Sequence, residues 1–264
     1  MPRTEKPRDL EAYKLWLLES HKIDASARCE TYHNSVTSAA LDQLETALWK
    51  QISSSFRDIG EQYLVNTGYD LFTLPAMPKL YAKTFMSALE KTFRKNVLDN
   101  KTWPDPPSKG WILPPEWFSD INDIMRTRFV VKYLDGVGYL TEQIGKICAE
   151  NGHDCHSFTE AREQGYYAAH LYITRTYEVP KLTWDTYQTD MGFEIQITTQ
   201  LQETIQRLLQ QYYETARIAD RPTGKVKWQW NYRSDEFVAN YLGHMLHYVE
   251  GMIMEVRERQ RGAV

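Results

Sequence analysis

The sequence predicts an α/β (α+β) domain: a mixed central sheet flanked by helices. Three features predict it. Helical spacing dominates the first hundred residues. A strand–helix–strand–strand–strand order follows between about residues 124 and 199. Helical spacing then returns to the end of the chain.

Residues 9–22 and 38–66 repeat apolar side chains at helical intervals, with Leu41, Leu44, Leu48, Ile52 and Phe56 on one stripe. Residues 79–96 read as a further helix whose apolar side is Leu80, Phe85, Leu89 and Phe93. The run Trp103-Pro104-Asp105-Pro106-Pro107-Ser108-Lys109-Gly110, followed by Pro114-Pro115, breaks the pattern and reads as a surface connection. Residues 124–133 read as a strand and 137–151 as the helix after it. Strand-like runs follow near 154–158, 167–179 and 184–199. In the last of these, Phe193, Ile195 and Ile197 alternate with Glu194, Gln196 and Thr198, so one face enters a core and the other carries polar groups. Helix is expected from residue 201 to about 219 and again from 235 to about 261. The organisation expected is a helical extension over 1–77, a core over 78–219, and a basic-aromatic segment with a final helix over 220–264.

The bulk properties exclude more than they select. The chain has 264 residues, of which 42% are hydrophobic and 25% charged, with a net charge of −4, so nothing draws it as a whole to nucleic acid or an anionic membrane. Cys29, Cys148 and Cys155 are few, odd in number and without a C-x-x-C pair, which predicts free thiols. No apolar run reaches the roughly 18 residues of a membrane span, and the amino terminus lacks a signal-peptide core. A cytoplasmic protein is expected.

The chemistry-bearing residues fall in four short segments. Lys83, Ser87 and Lys91 sit at four-residue intervals. Asp123 stands five residues before Arg128. Gly165-Tyr166-Tyr167-Ala168-Ala169-His170 opens an apolar-alternating strand. Glu194-Ile195-Gln196-Ile197-Thr198-Thr199 places a carboxylate and an amide on the polar face of another. A carboxylate amid Phe193, Ile195 and Ile197 needs a partner, and carboxylates on two elements suit a hard divalent cation. His244 and His247, three apart in the last helix, lack a third metal ligand beyond Glu250 and read as packing residues.

In this order the four segments resemble the synthetase domain of RelA/SpoT-type small alarmone synthetases, across residues 78–200. Lys83, Ser87 and Lys91 take the last three positions of that family's R-x-K-x-x-x-S-x-x-x-K, with Tyr81 at the Arg position. Asp123 and Arg128 match D-x-x-G-x-R, with Arg126 at the Gly position. Residues 164–170 match N-G-Y-x-S-x-H, and residues 194–199 match E-[VI]-Q-I-R-T with Thr198 for Arg. The resemblance implies a nucleotidyltransferase-like core. It also implies transfer of the β,γ-pyrophosphate of ATP to the 3′-hydroxyl of a purine nucleotide such as GDP or GTP. Lys83, Ser87, Lys91 and Arg128 would bind ATP; Asp123 and Glu194 would be catalytic and hold Mg²⁺; Tyr166, His170 and Gln196 would bind the acceptor. Two alternatives stay open. One is a toxin-type relative that pyrophosphorylates the 3′ end of tRNA and is matched by an antitoxin; the basic-aromatic residues 225–233 could then stack on RNA. The other is a catalytically degenerate nucleotide-binding protein, suggested by the missing Arg positions. A homo-oligomer is compatible with the apolar last helix.

Overall fold

A computed structural model describes residues 5–114, 116–181, 183, 185–218 and 227–261. Pro115, Trp184 and residues 219–226, where the sequence places the core's end and the start of the basic-aromatic run, lie outside the described residues. Five strands form a mixed sheet in the order β1-β2-β5-β4-β3. They are β1 (Tyr81–Ala82), β2 (Met125–Val131), β3 (Cys155–Ala161), β4 (Tyr167–Pro180) and β5 (Thr186–Thr199). The helices are α1 (Leu10–His21), α2 (Ala27–Leu44), α3 (Lys50–Thr67), α4 (Phe85–Phe93), α5 (Leu134–Glu150), α6 (Gln200–Ile218) and α7 (Asp235–Arg261). A π-helical turn, Glu45–Trp49, joins α2 to α3. No described helix is long and apolar enough to cross a membrane.

The chain divides into two compact units. The first comprises Met1–Lys50, Lys79–Thr127 and Tyr172–Glu194; the second comprises Gln51–Pro78, Arg128–Leu171 and Ile195–Val264.

In the first unit, α1 starts where Asp9 caps it by accepting the Ala12 N–H at 2.8 Å, and it stops at Lys22 in the left-handed region. Its buried Trp16 packs against Trp103 and Trp111, with ring centroids 5.3 and 5.0 Å away. Asn96, fully buried, donates to the Ile112 carbonyl at 2.8 Å and accepts the Ile112 N–H at 3.0 Å. These contacts fasten the Pro-rich connection to the unit instead of leaving it a free surface loop.

The expected helix over 79–96 is shorter than its spacing suggested. Tyr81 and Ala82 pair antiparallel with Arg126 and Met125, and the helix begins only at Phe85, after Thr84 caps it by accepting the Ser87 N–H. Two competing signals explain the difference: Leu80 falls in helical register by coincidence, while Thr84 is a strong stop against extending the helix backwards.

In the second unit, α7 is fixed by its buried face. Arg257 lies between the rings of Tyr69 and Tyr133, at 4.1 and 4.2 Å, and donates to Asp135 at 3.0 Å. Near its start, Gly243 meets Gly165 backbone to backbone: a Cβ on Gly165, already at φ +75°, would stand 2.5 Å from the Asn240 carbonyl oxygen. Between these points the buried Glu250 accepts a hydrogen bond from Thr199, and its second oxygen lies 3.6 Å from His247 Nδ1.

Burial raises the Glu250 carboxyl to about 7, partly offset by the Thr199 hydrogen bond. A carboxyl whose folded value lies above its unfolded value of 4.5 favours the fold at low pH. That advantage disappears as pH rises through 7 and amounts to up to about 3 kcal/mol. Unfolding by urea should therefore show stability falling between pH 4.5 and 7. Glu250→Gln should flatten that part of the profile and be the more stable form at pH 8; an unchanged profile would refute the assignment.

Candidate active site

Two polar clusters hold the sequence-derived site residues, one in each unit. In the first unit, Lys83 directly precedes α4 and is fixed on three sides. Its N–H donates to the Ile124 carbonyl at 2.8 Å, its carbonyl accepts from His33 Nε2 at 2.8 Å, and its ammonium reaches Asp123 Oδ2 at 2.9 Å. Burial lowers the His33 pKa, so this ring is neutral and donates from Nε2. Lys91, two turns into α4, reaches the other Asp123 oxygen at 2.7 Å.

Lys83 and Lys91 thus converge, though not by sharing a helix face as their spacing suggested. Lys83 lies outside the helix and is brought in by the β1–β2 pairing. Asp123 lies in the turn just before β2. Ser87 belongs to the cap of α4, giving its N–H to Thr84 at 3.2 Å and accepting the Thr84 hydroxyl at 3.0 Å.

The electrostatics of this clamp are set by burial working against charge. Burial alone would raise Asp123, but Lys83 and Lys91, by charge and by hydrogen bonding, outweigh it and hold the carboxyl at about 2. Burial lowers Lys83 despite the opposing pull of Asp123.

Glu194 lies on β5 in the same unit, buried, and accepts the Tyr172 hydroxyl at 2.8 Å. Two residues earlier on the same face, Gly192 lies against the turn that carries Asp123: a Cβ there would be 2.5 Å from the Asn122 carbonyl oxygen and 2.8 Å from its Cα. That close approach brings the Asp123 turn against the polar face from which Glu194 projects. Phe193, Ile195 and Ile197 are fully buried on the other face, as the alternation predicts.

In the second unit, Gln196 accepts from Arg128 Nε and Nη2 at 3.2 and 2.9 Å, and Arg128 Nη1 pairs with Glu203 at 2.7 Å. His170, buried, has Nε2 at 3.1 Å from Glu160 and 3.2 Å from the Tyr166 hydroxyl, with Phe158 stacked at 5.4 Å. Arg162 binds Glu160 through two nitrogens and lies 4.9 Å over the Tyr166 ring.

Several of these residues escaped the sequence reading, among them His33, Tyr172, Glu160, Arg162, Phe158 and Glu203. Tyr172 was detectable, because it follows His170 by two on one strand face and β4 neighbours β5. Glu203 carries no such signal. Its link to Arg128 depends on where α6 leaves the sheet. Among the described residues, no group of three or more His, Cys, Asp or Glu could hold a metal by itself.

Comparison with solved structures identifies the fold. Small alarmone synthetase 1 from Bacillus subtilis bound to its product pppGpp superposes with a TM-score of 0.52 at 14% identity, over 84% of this chain and 98% of that one. The chain has the small alarmone synthetase fold. A GTP pyrophosphokinase family protein from Streptococcus pneumoniae matches with a TM-score of 0.51 at 15% identity, over 85% and 96% of the two chains. No protein-family model and no curated protein matches the sequence. At this identity, what joins the chain to those structures is architecture alone.

Replacing Asp123 by Asn would leave Lys83 buried without a counter-charge, at a cost of about 3–5 kcal/mol. The pH dependence has a definite sign. Because the Asp123 carboxyl is held below its ordinary value, it contributes stability above about pH 4 that is lost as pH falls through 2. Asp123→Asn should lower the thermal midpoint at pH 7 and narrow its gap to wild type in acid. A gap independent of pH would show that the ion pairs are not its source.

Proposed function

We propose that this chain is an ATP-dependent pyrophosphokinase that transfers the β,γ-pyrophosphate of ATP to the 3′-hydroxyl of GDP or GTP. The observation that carries this reading is the half-buried carboxylate of Asp123 held between two ammonium groups, beside the strand face that bears Glu194. Transfer of this kind needs charge neutralisation and alignment more than covalent chemistry. Lys83 and Lys91 supply cations already gathered at one point, ready to be drawn from Asp123 onto a polyphosphate.

Asp123 and Glu194 are hard oxygen donors, the class Mg²⁺ prefers, and would hold it through one oxygen or more each. When bound, the ion would neutralise charge on the polyphosphate. Glu194 is assigned the general-base role: it takes the proton of the acceptor 3′-hydroxyl. The freed oxygen bonds to the β-phosphorus as the bond between that phosphorus and the α-bridging oxygen breaks, and AMP leaves. The Tyr172 hydroxyl, donating to Glu194 at 2.8 Å, fixes the orientation of the carboxylate. Arg128 and Ser87 are assigned to ATP, and Tyr166, His170 and Gln196 to the acceptor. Arg128 must exchange Glu203 or Gln196 for phosphate to do so.

A second acceptor, the 3′ end of tRNA, is favoured by one observation. Trp230 and Tyr232 stand largely exposed, and Arg233 lies 5.5 Å from the Tyr232 ring, an arrangement suited to stacking on unpaired bases. Incubation with γ-labelled ATP and either free guanine nucleotides or bulk tRNA shows where the label goes. Transfer to GDP or GTP with release of AMP is expected. Glu194→Gln should lower AMP release by about 10²–10⁴-fold with an unchanged circular dichroism spectrum. Chelation of divalent cations should abolish the reaction. Nucleotide binding without AMP release for any acceptor would mark the chain as a degenerate relative instead.

A further inference from the structure

In its first two motifs the chain departs from the expected charges at two positions, and the fold sets those positions side by side. Tyr81 stands where R-x-K-x-x-x-S-x-x-x-K has arginine, and Arg126 stands where D-x-x-G-x-R has glycine. In the antiparallel pairing of β1 with β2, Tyr81 is the register partner of Arg126. Residues directly opposite across such a pair point to one face, with Cβ atoms about 4.5–5.5 Å apart. An arginine absent from one strand is therefore present on the next, on the same face. Burial agrees: Arg126 is exposed between the buried Met125 and Thr127, and Tyr81 is 56% exposed.

The pairing leads into the Asp123 clamp. The Lys83 N–H donates to the Ile124 carbonyl at 2.8 Å, which extends the ladder and sends Lys83 to the same side as Tyr81. Burial lowers the Lys83 pKa against the pull of Asp123, and the charges of Arg126 and Lys91 add to the lowering. Asp123 gives one oxygen to Lys83 and the other to Lys91. Among the described residues, Arg126 makes no hydrogen bond or ion pair of its own. Lys95, in the π-helical turn Arg94–Leu98 after α4, also has no ion-pair partner there, and the charges of both Lys91 and Asp123 act on it. One carboxylate thus stands among four cations. A fixed excess of positive charge on an open face draws a polyanion.

We propose that Arg126 binds the polyphosphate of ATP, supplying from the opposite strand the cation that position 81 lacks. The proposal rests on the ATP-dependent reading above and adds a residue to it. A guanidinium presents a planar fork that can bind phosphate through two nitrogens at once. Lys83 and Lys91 must leave Asp123 before they can reach a phosphate, whereas Arg126 is free beforehand. Arg126 therefore acts on ATP capture more than on the rate of transfer. Tyr81 then marks a cation that has moved, not a site that has decayed.

Calorimetric titration of the full chain with α,β-methylene-ATP and Mg²⁺, and separately with inorganic tripolyphosphate, tests the contact. Arg126→Gln should weaken binding of both by about 10–100-fold, the size of one hydrogen-bonded charge contact. Arg126→Lys should weaken it less. Adding Tyr81→Arg to Arg126→Gln should restore most of the lost affinity. In turnover, Arg126→Gln should raise KM for ATP and leave KM for GDP unchanged. Both side chains are exposed, so the far-ultraviolet spectra should match the wild type.

Wild-type affinity of Arg126→Gln for both probes would overturn the proposal. So would weakening confined to the nucleotide, which puts the guanidinium on the base or ribose, or failure of Tyr81→Arg to restore binding. Binding that depends on Arg126 without AMP release for any acceptor keeps this contact and refutes the pyrophosphokinase reading. Transfer to GDP undiminished by Arg126→Gln at limiting ATP does the reverse.

Discussion

A half-buried carboxylate held by two lysines organises the first unit. Asp123 can withdraw from solvent only because Lys83 and Lys91 both reach it, and Lys83 can be buried only because Asp123 is there. Each requirement fixes a separate piece of chain. Lys83 is placed by the two-residue strand β1 and by His33 of α2. Lys91 is placed by the cap that starts α4. Asp123 is placed by a turn that Gly192 of β5 allows to approach. Three distant segments are thus tied at one point, and the same point gathers positive charge where a polyphosphate would need it. Stability and proposed chemistry make opposite demands on these groups: the fold prefers Asp123 with its lysines, whereas a nucleotide would compete for them.

Most of the architecture was legible because it rests on periodicity. The alternation through residues 193–199, the helical stripe of Leu41, Leu44, Leu48 and Ile52, and the long final helix are local patterns, and the structure shows each. β1 was not legible. Two residues carry no period, and the strand exists only because Arg126 and Met125 of β2 pair with it. The same reason hid the true position of Lys83. Its four-residue spacing from Ser87 fits a helix well, and only the Thr84 cap, read against that spacing, marks where the helix begins.

The site residues divide along the same line. Asp123, Glu194, His170 and the lysines stand out as motif positions because each is a polar group at a place where packing alone would choose otherwise. Their partners do not. Glu160, Phe158 and Glu203 are ordinary residues until tertiary structure sets them against a motif residue, and they decide what that residue can do. Gln196 shows this: its amide oxygen is engaged by Arg128, so any acceptor must compete with an existing hydrogen bond. Arg128 is likewise shared between Gln196 and Glu203.

The cluster of Trp16, Trp103 and Trp111 has an optical consequence. Among the described residues, the tryptophans at 16, 49, 103, 111 and 117 fall in the first unit and those at 228 and 230 in the second. Intrinsic emission from the described tryptophans therefore reports chiefly on the first unit. Loosening around His170 and Arg128 could pass almost unseen in the same spectrum, and following it calls for a dye or a fluorinated tyrosine placed there.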